Sequence, residues 1–166
     1  MRVPIRKPGI YTHLKPDPFI TRERFDELSR KLERLKKVTR PPAMEEVKRL
    51  SLTGDYSENH AYQHAKGRLR GINQRILDIE YELTRAQIID MSKHGKTVVL
   101  GSIVTVVTGG KAKIYQILGS TQTDPTKGVI SHNSPLGVAL MGRSAGEEVE
   151  VKLKDKTVKY KITKIE

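Results

Sequence analysis

The sequence predicts an α+β fold: an N-terminal antiparallel α-helical coiled-coil hairpin, then a small, mostly antiparallel β-sheet domain with one short helix. Three observations predict it. Leu69, Ile72, Ile76, Ile79, Leu83 and Ala86 step at heptad spacing through more than two repeats, the pattern of a helical seam. After Lys93-His94-Gly95-Lys96 the chain changes to short β-branched runs broken by glycine turns. Between two helical patterns stands Gly54-Asp55-Tyr56-Ser57-Glu58-Asn59, too short to be anything but the tip of a hairpin.

Residues 1–20 hold Pro4, Pro8, Gly9, Pro16 and Pro18, which forbid a continuous helix and predict an irregular basic arm. The hairpin is expected over 21–92. Thr21 is the expected N-cap, followed by Phe25, Leu28, Leu32 and Leu35 at 3-4-3 spacing. Pro41-Pro42 interrupts this seam, which resumes with Met44, Val47 and Leu50, so a kinked helix or two stacked helices are expected. The first arm should end near Leu52, with Gly54 beyond it. The second should run from about Ser57 to about Asp90. At about 1.5 Å per residue each arm spans roughly 45 Å.

The sheet domain is expected over 93–166. Val98 to Leu100, Ile103 to Val107, Ile114 to Leu118, Val129-Ile130, Glu148 to Leu153 and Thr157 to Ile165 read as strands. Thr108-Gly109-Gly110-Lys111 and Lys154-Asp155-Lys156 read as hairpin turns. Val149, Val151 and Leu153 alternate with charged residues, as in a half-buried strand. Pro135 to Met141 reads as the short helix, with Ser134 as its cap.

Composition bounds the function. The 166 residues carry 31 Lys+Arg against 19 Asp+Glu, a net charge of +12. The surplus favours polyanionic partners such as nucleic acid, although a solvated charged surface gives the same count. The absence of cysteine excludes disulfides, Cys-based zinc sites and thiol catalysis. Met1 to Arg6 is followed by no apolar run, so no signal peptide is expected. No segment has the length and apolarity of a membrane span, so a cytoplasmic protein is expected. No Gly-rich phosphate loop, Ser/His/Asp arrangement or dinucleotide fingerprint occurs.

The chemistry-bearing residues cluster at and near the tip. Asp55 and Glu58 have the spacing of a capping box, which accounts for them structurally at about 0.5–2 kcal/mol. Two carboxylates so spaced can also share a divalent cation through oxygen ligands, as part of a shell that a partner must complete. His60 and His64 have the spacing of a two-His metal motif, but Ala61 stands where a zinc protease needs Glu; exposed histidines are the simpler reading. Lys66, Arg68, Arg70 and Arg75 fall in a stretch without acids between Glu58 and Asp78. At about 100° per residue Lys66 and Arg70 lie on one flank of the seam and Arg68 and Arg75 on the other. Solvated charge explains them; the single sign favours a phosphate backbone.

The tip Ser51-Leu52-Thr53-Gly54-Asp55-Tyr56-Ser57-Glu58-Asn59-His60-Ala61-Tyr62 resembles that of the bacterial Gre transcript cleavage factors. The resemblance continues through Gln63 to Ile72, Ala86 to Asp90, Gly101 to Val106 and Ser131-His132-Asn133-Ser134-Pro135-Leu136-Gly137 to Gly142, with Arg40-Pro41 matching in the first arm. It covers roughly residues 21–166. The basic run Lys66 to Arg75 resembles the GreB branch more than GreA. The resemblance implies an FKBP-like second domain that docks on RNA polymerase and a hairpin that enters the polymerase secondary channel. In a backtracked, stalled complex, Asp55 and Glu58 would then be the catalytic pair, helping to hold a Mg²⁺ shared with the polymerase active site while the polymerase cleaves its own RNA. Lys66, Arg68, Arg70 and Arg75 would lie near the extruded RNA 3′ end, and Asn133, Ser134 and Pro135 in the polymerase-docking surface. The protein would be a monomeric cofactor of the polymerase's reaction, with no membrane partner and no tightly bound metal of its own. Residues 1–20 have no counterpart in this pattern, and the first arm is unusually basic at Lys36-Lys37 and Arg40.

Three other functions compete. An inhibitory paralogue would occupy the same channel, but both Asp55 and Glu58 are present on long arms. A prolyl isomerase needs an aromatic-lined pocket, and after residue 92 only Tyr115 and Tyr160 are aromatic. A generic basic coiled coil would bind RNA without polymerase.

Overall fold

The computed structural model describes residues 17–52, 60–91, 95–152 and 157–166. The expected Gly54–Asn59 tip, the expected Lys154-Asp155-Lys156 turn with Leu153 before it, and residues 1–16 lie outside the described residues.

The first helical arm runs through α1 (Arg22–Arg34), a π-helical turn (Leu35–Thr39) and α2 (Arg40–Ser51). Thr21 caps α1, its hydroxyl oxygen accepting the Arg24 N–H at 3.3 Å. Pro41 and Pro42 carry no N–H, so the carbonyls four residues earlier have no helical donor, and a proline ring presses on that turn. The chain meets this by widening. The Arg40 N–H reaches back five residues to the Leu35 carbonyl, and the backbone stays helical on both sides. The expected interruption is therefore a π-turn inside one continuous arm, one of the recognised sources of a local distortion.

The second arm, α3 (His60–Arg85), runs antiparallel to the first. Lys36 pairs with Glu80 at 2.6 Å and Arg68 with Glu46 at 3.0 Å, so the sequence descends on one arm as it ascends on the other. The seam falls into two clusters. Leu28 and Ile79 pack near the base with Phe25, Leu32, Leu35, Leu83 and Ala86. Ala43, Ile72 and Ile76 pack further out with Leu69. The small Ala43 and Ala65 are buried. Burial of an aliphatic side chain contributes about 1.5–3 kcal/mol, so these two clusters outweigh the exposed ion pairs, each worth about 0–1 kcal/mol.

Two boundaries differ from the sequence reading. The irregular arm does not reach residue 20: β1 (Phe19–Ile20) pairs in parallel with β2 (Gln87–Ile88), and Ile20 is 1% exposed. The second arm does not continue to Asp90: α3 stops at Arg85, and the Gln87 and Ile89 N–H groups donate to the Pro18 and Ile20 carbonyls, both at 2.8 Å. A short ladder that buries Ile20 and Ile89 replaces the last helical turn, so a tertiary partner overrides local helical pattern.

The second domain is a five-stranded sheet in the order β5 (Val129–Ser131), β4 (Lys111–Leu118), β3 (Ile103–Thr108), β7 (Thr157–Ile165), β6 (Glu148–Lys152). Every pairing is antiparallel except β4 with β5, so the sheet is mixed. The β3–β4 turn is Gly109-Gly110, with φ of 54° and 76°, as a two-residue hairpin loop requires. Val104, Val106, Ile117, Val149 and Ile162 form the inner face, over which α4 (Pro135–Leu140) lays Leu140. Val151 is also buried, while Glu148, Glu150 and Lys152 alternate outward as expected. Val98 to Leu100 is not a strand. Val98 is fully buried, and its backbone bonds instead to Arg143 and Gly142 just past α4. A short apolar run records burial, not the ladder that satisfies its backbone.

Candidate functional site

The sequence places candidate residues in three regions, and the structure treats them differently. The tip acids Asp55 and Glu58 lie outside the described residues. The flanks are described: α2 closes at Leu52, whose N–H donates to Arg49 and Leu50 carbonyls, and α3 opens at His60. Leu52 is 80% exposed, so the arm carries its end into solvent. His60 and His64 are exposed on α3. Among the described residues no group of three or more His, Asp or Glu could hold a metal ion. The sequence expectation of a shared Mg²⁺ rests on Asp55 and Glu58, and two carboxylates alone are too few to close the shell of such a cation.

The four candidate cations, Lys66, Arg68, Arg70 and Arg75, separate by environment. All four are exposed. Lys66 Nζ lies 5.7 Å from the Tyr62 ring centroid. Arg68 is turned to the first arm, where both its terminal nitrogens meet the Glu46 carboxylate. Arg70 and Arg75 make no ion pair with a described residue, so their guanidinium charge is the least committed. The acid-free stretch of α3 concealed Glu46, which sits on the opposite arm. Beside the π-turn, Lys36, Arg40, Asn73, Leu77 and Glu80 line a shallow groove, and Lys36 there is engaged by Glu80.

The Asn133-Ser134-Pro135 segment is built as a rigid turn. The Ser134 hydroxyl accepts the Gly137 N–H at 3.0 Å and donates to the Ser131 carbonyl at 2.7 Å. Pro135 occupies the first turn of α4, where a missing N–H costs nothing. Ser134 is thus consumed by capping, while Asn133, Pro135 and Val138 are exposed and form the available surface. Gly137 is required: a Cβ there would overlap the Ser131 carbonyl oxygen. Gly137→Ala is expected to destabilise the sheet domain by about 1–3 kcal/mol, the usual cost of overpacking. Thermal melts would show it, and an unchanged melting temperature would contradict this account of the turn.

Sequence reasoning missed the joint between the two domains. The Thr21 N–H donates to Gln122 Oε1 at 2.8 Å, and Gln122 Nε2 donates back to Thr21 Oγ1 at 2.9 Å. The Asp17 carboxylate accepts from the Ser120 N–H and hydroxyl at 2.8 and 3.0 Å. Phe19 packs edge-on to His132, with ring centroids 5.6 Å apart. Gly119 admits the Phe19 carbonyl where any Cβ would collide with it. These partners lie about a hundred positions apart, and no local pattern signals them.

Comparison with known proteins matches both parts. The family model described as "Transcription elongation factor, N-terminal" fits residues 18–88, and "Transcription elongation factor, GreA/GreB, C-term" fits residues 92–166. The first match begins at residue 18, one position before β1. "Transcription elongation factor GreA" of Clostridioides difficile (strain 630) is 42% identical over 149 residues, covering 88% of this chain and 94% of that protein. Its namesake in Staphylococcus carnosus (strain TM300) is 38% identical over 150 residues, covering 89% and 94%. Among solved structures, GreA factor homolog 1 of Thermus thermophilus is 24% identical with a TM-score of 0.39, covering 86% of this chain and 94% of that one.

Proposed function

Since the chain belongs to the GreA/GreB family of transcription elongation factors, we propose that it binds RNA polymerase, inserts its hairpin tip through the secondary channel, and stimulates Mg²⁺-dependent cleavage of the 3′ RNA in backtracked complexes. The observation that carries this reading is the pair Asp55 and Glu58 between two long, antiparallel, well-packed arms. Half a metal site on a projecting rod is of little use alone and suits delivery into another protein's active site.

In this reading the sheet domain docks through Asn133, Pro135 and their neighbours, and the arms set the reach. The two tip carboxylates, Asp55 and Glu58, would hold a Mg²⁺ jointly with the polymerase and would help to orient the attacking water. When bound, the metal supplies charge stabilisation at the phosphodiester, as in two-metal phosphoryl chemistry. Arg70 and Arg75 attract the extruded RNA, while Arg68 stays with Glu46. The basic run resembles the GreB branch, whereas the relatives described above carry the name GreA; cleavage measured against backtrack length tests whether Arg70 and Arg75 reach the extruded RNA.

The alternatives fit less well. An inhibitory channel binder has no need of both tip acids. For a prolyl isomerase, the only aromatics of the second domain, Tyr115 and Tyr160, pack partly buried against the sheet core. The test is RNA cleavage by a stalled, backtracked polymerase with and without the protein. Faster cleavage that requires Mg²⁺ is expected; unchanged or slower cleavage would overturn the proposal.

A further inference from the structure

Asp17 lies in the stretch that the sequence reads as an irregular arm, yet its side chain is only 6% exposed. Its Oδ1 accepts the Phe19 N–H at 3.1 Å. Its Oδ2 accepts the N–H and the hydroxyl of Ser120 and lies 3.4 Å from His132 Nδ1. Among the described residues no Lys or Arg pairs with it. A buried carboxylate held mainly by neutral donors is costly unless those donors are well placed, and here they come from both domains.

The carboxylate also sets the direction of a longer chain of bonds. An ionised carboxylate only accepts, so the Ser120 hydroxyl must donate to Asp17. Ser120 Oγ is then left to accept, and Ser131 Oγ, 2.8 Å away, donates to it. Asn133 Nδ2 reaches the same Ser120 oxygen at 3.3 Å, and the Asn133 N–H donates to Ser131 Oγ at 3.0 Å. Asp17, at the root of the hairpin, thereby orients the amide of Asn133. That amide's Nδ2 faces inward, and its oxygen is unclaimed by any described residue.

We propose that Asp17 is a positioning residue. It fixes the direction of the hairpin against the sheet domain and, through Ser120 and Ser131, presets Asn133 to accept a hydrogen bond from the docked partner. The Asn133 part rests on the docking role given above; the direction of the hairpin does not. Thr21–Gln122 is the second tie across the same joint. A rod about 45 Å long converts a small rotation at this joint into a displacement of several ångströms at the tip, so the joint governs whether the tip acids arrive in register.

The chain has no cysteine, so spin labels can be placed cleanly at Arg49→Cys on α2 and Lys111→Cys on β4, both exposed. Asp17→Asn keeps one acceptor for the Phe19 N–H and is close in shape, so folding is preserved. The parent should give a narrow label-to-label distance distribution. Asp17→Asn should broaden it, and Asp17→Asn with Gln122→Ala should broaden it further, with helix and sheet melting unchanged. On a backtracked polymerase, Asp17→Asn should lower stimulated cleavage about tenfold or more, as misplacement by an ångström commonly does. An unchanged distance distribution in both variants would overturn the proposal, whatever the parent does to polymerase. Broadened distances with full cleavage by the variants, beside an active parent, would overturn the positioning role. A parent without cleavage activity would refute the proposed function, and the distances would still decide the joint.

Discussion

Asp55→Asn is expected to remove nearly all stimulated RNA cleavage while leaving polymerase binding and hairpin stability intact. The substitution separates two roles that coincide at one position. As a helix cap, Asn serves about as well as Asp, so capping alone predicts near-normal activity. As a ligand for a hard cation, Asn keeps one neutral oxygen and loses the charge that Mg²⁺ favours. The expected loss is about two orders of magnitude, the scale of removing one preorganised contact to developing charge. Glu58→Gln should behave likewise, because Gln still completes a capping box. Raised Mg²⁺ should partly restore both variants by mass action. Cleavage rates across a Mg²⁺ titration, with thermal melts of the same proteins, decide between the roles. Full activity in the Asn and Gln variants would end the metal assignment.

The second large effect is expected from Arg70→Glu with Arg75→Glu, which should weaken action on long extruded RNA far more than on short. These two guanidiniums have no acidic partner among the described residues, whereas Arg68 is held by Glu46. On single-stranded RNA each lost phosphate contact should lower the salt slope of binding by about 0.7. Reversal of both charges should therefore flatten the salt dependence as well as reduce cleavage. Arg68→Gln should do much less to RNA. It removes an exposed ion pair worth about 0–1 kcal/mol and shows itself, if anywhere, in hairpin stability. Equal loss at every backtrack length would show that Arg70 and Arg75 do not touch the extruded strand.

Much of this was legible because it is local. The Leu69-to-Leu83 seam requires a helix whatever it packs on, and Ile72, Ile76 and Ile79 are indeed buried. Thr21 and Ser134 cap the helices they precede, because capping joins residues three apart. The Gly109-Gly110 turn and the Val149/Val151 alternation were likewise readable from adjacent residues. Pro41-Pro42 announced a disturbance; whether the chain would break, kink or widen depended on the arm that it packs against. The Arg68–Glu46 pair was hidden in the same way, since each cation was judged against neighbours on its own helix.

By itself, the sequence determined two antiparallel helical arms with Asp55 and Glu58 between them, a β domain with a Ser-Pro-capped helix, and a net positive charge. Tertiary structure alone decided the strand order and the parallel β4–β5 pair, the β1–β2 clasp that ends α3 early, and the joint of Asp17 and Thr21 with Ser120 and Gln122. The division follows from the range of the forces. Periodicity, caps and turns are settled within a few residues, whereas a carboxylate and the hydroxyl that it holds lie 103 positions apart and are brought together only by the tertiary fold.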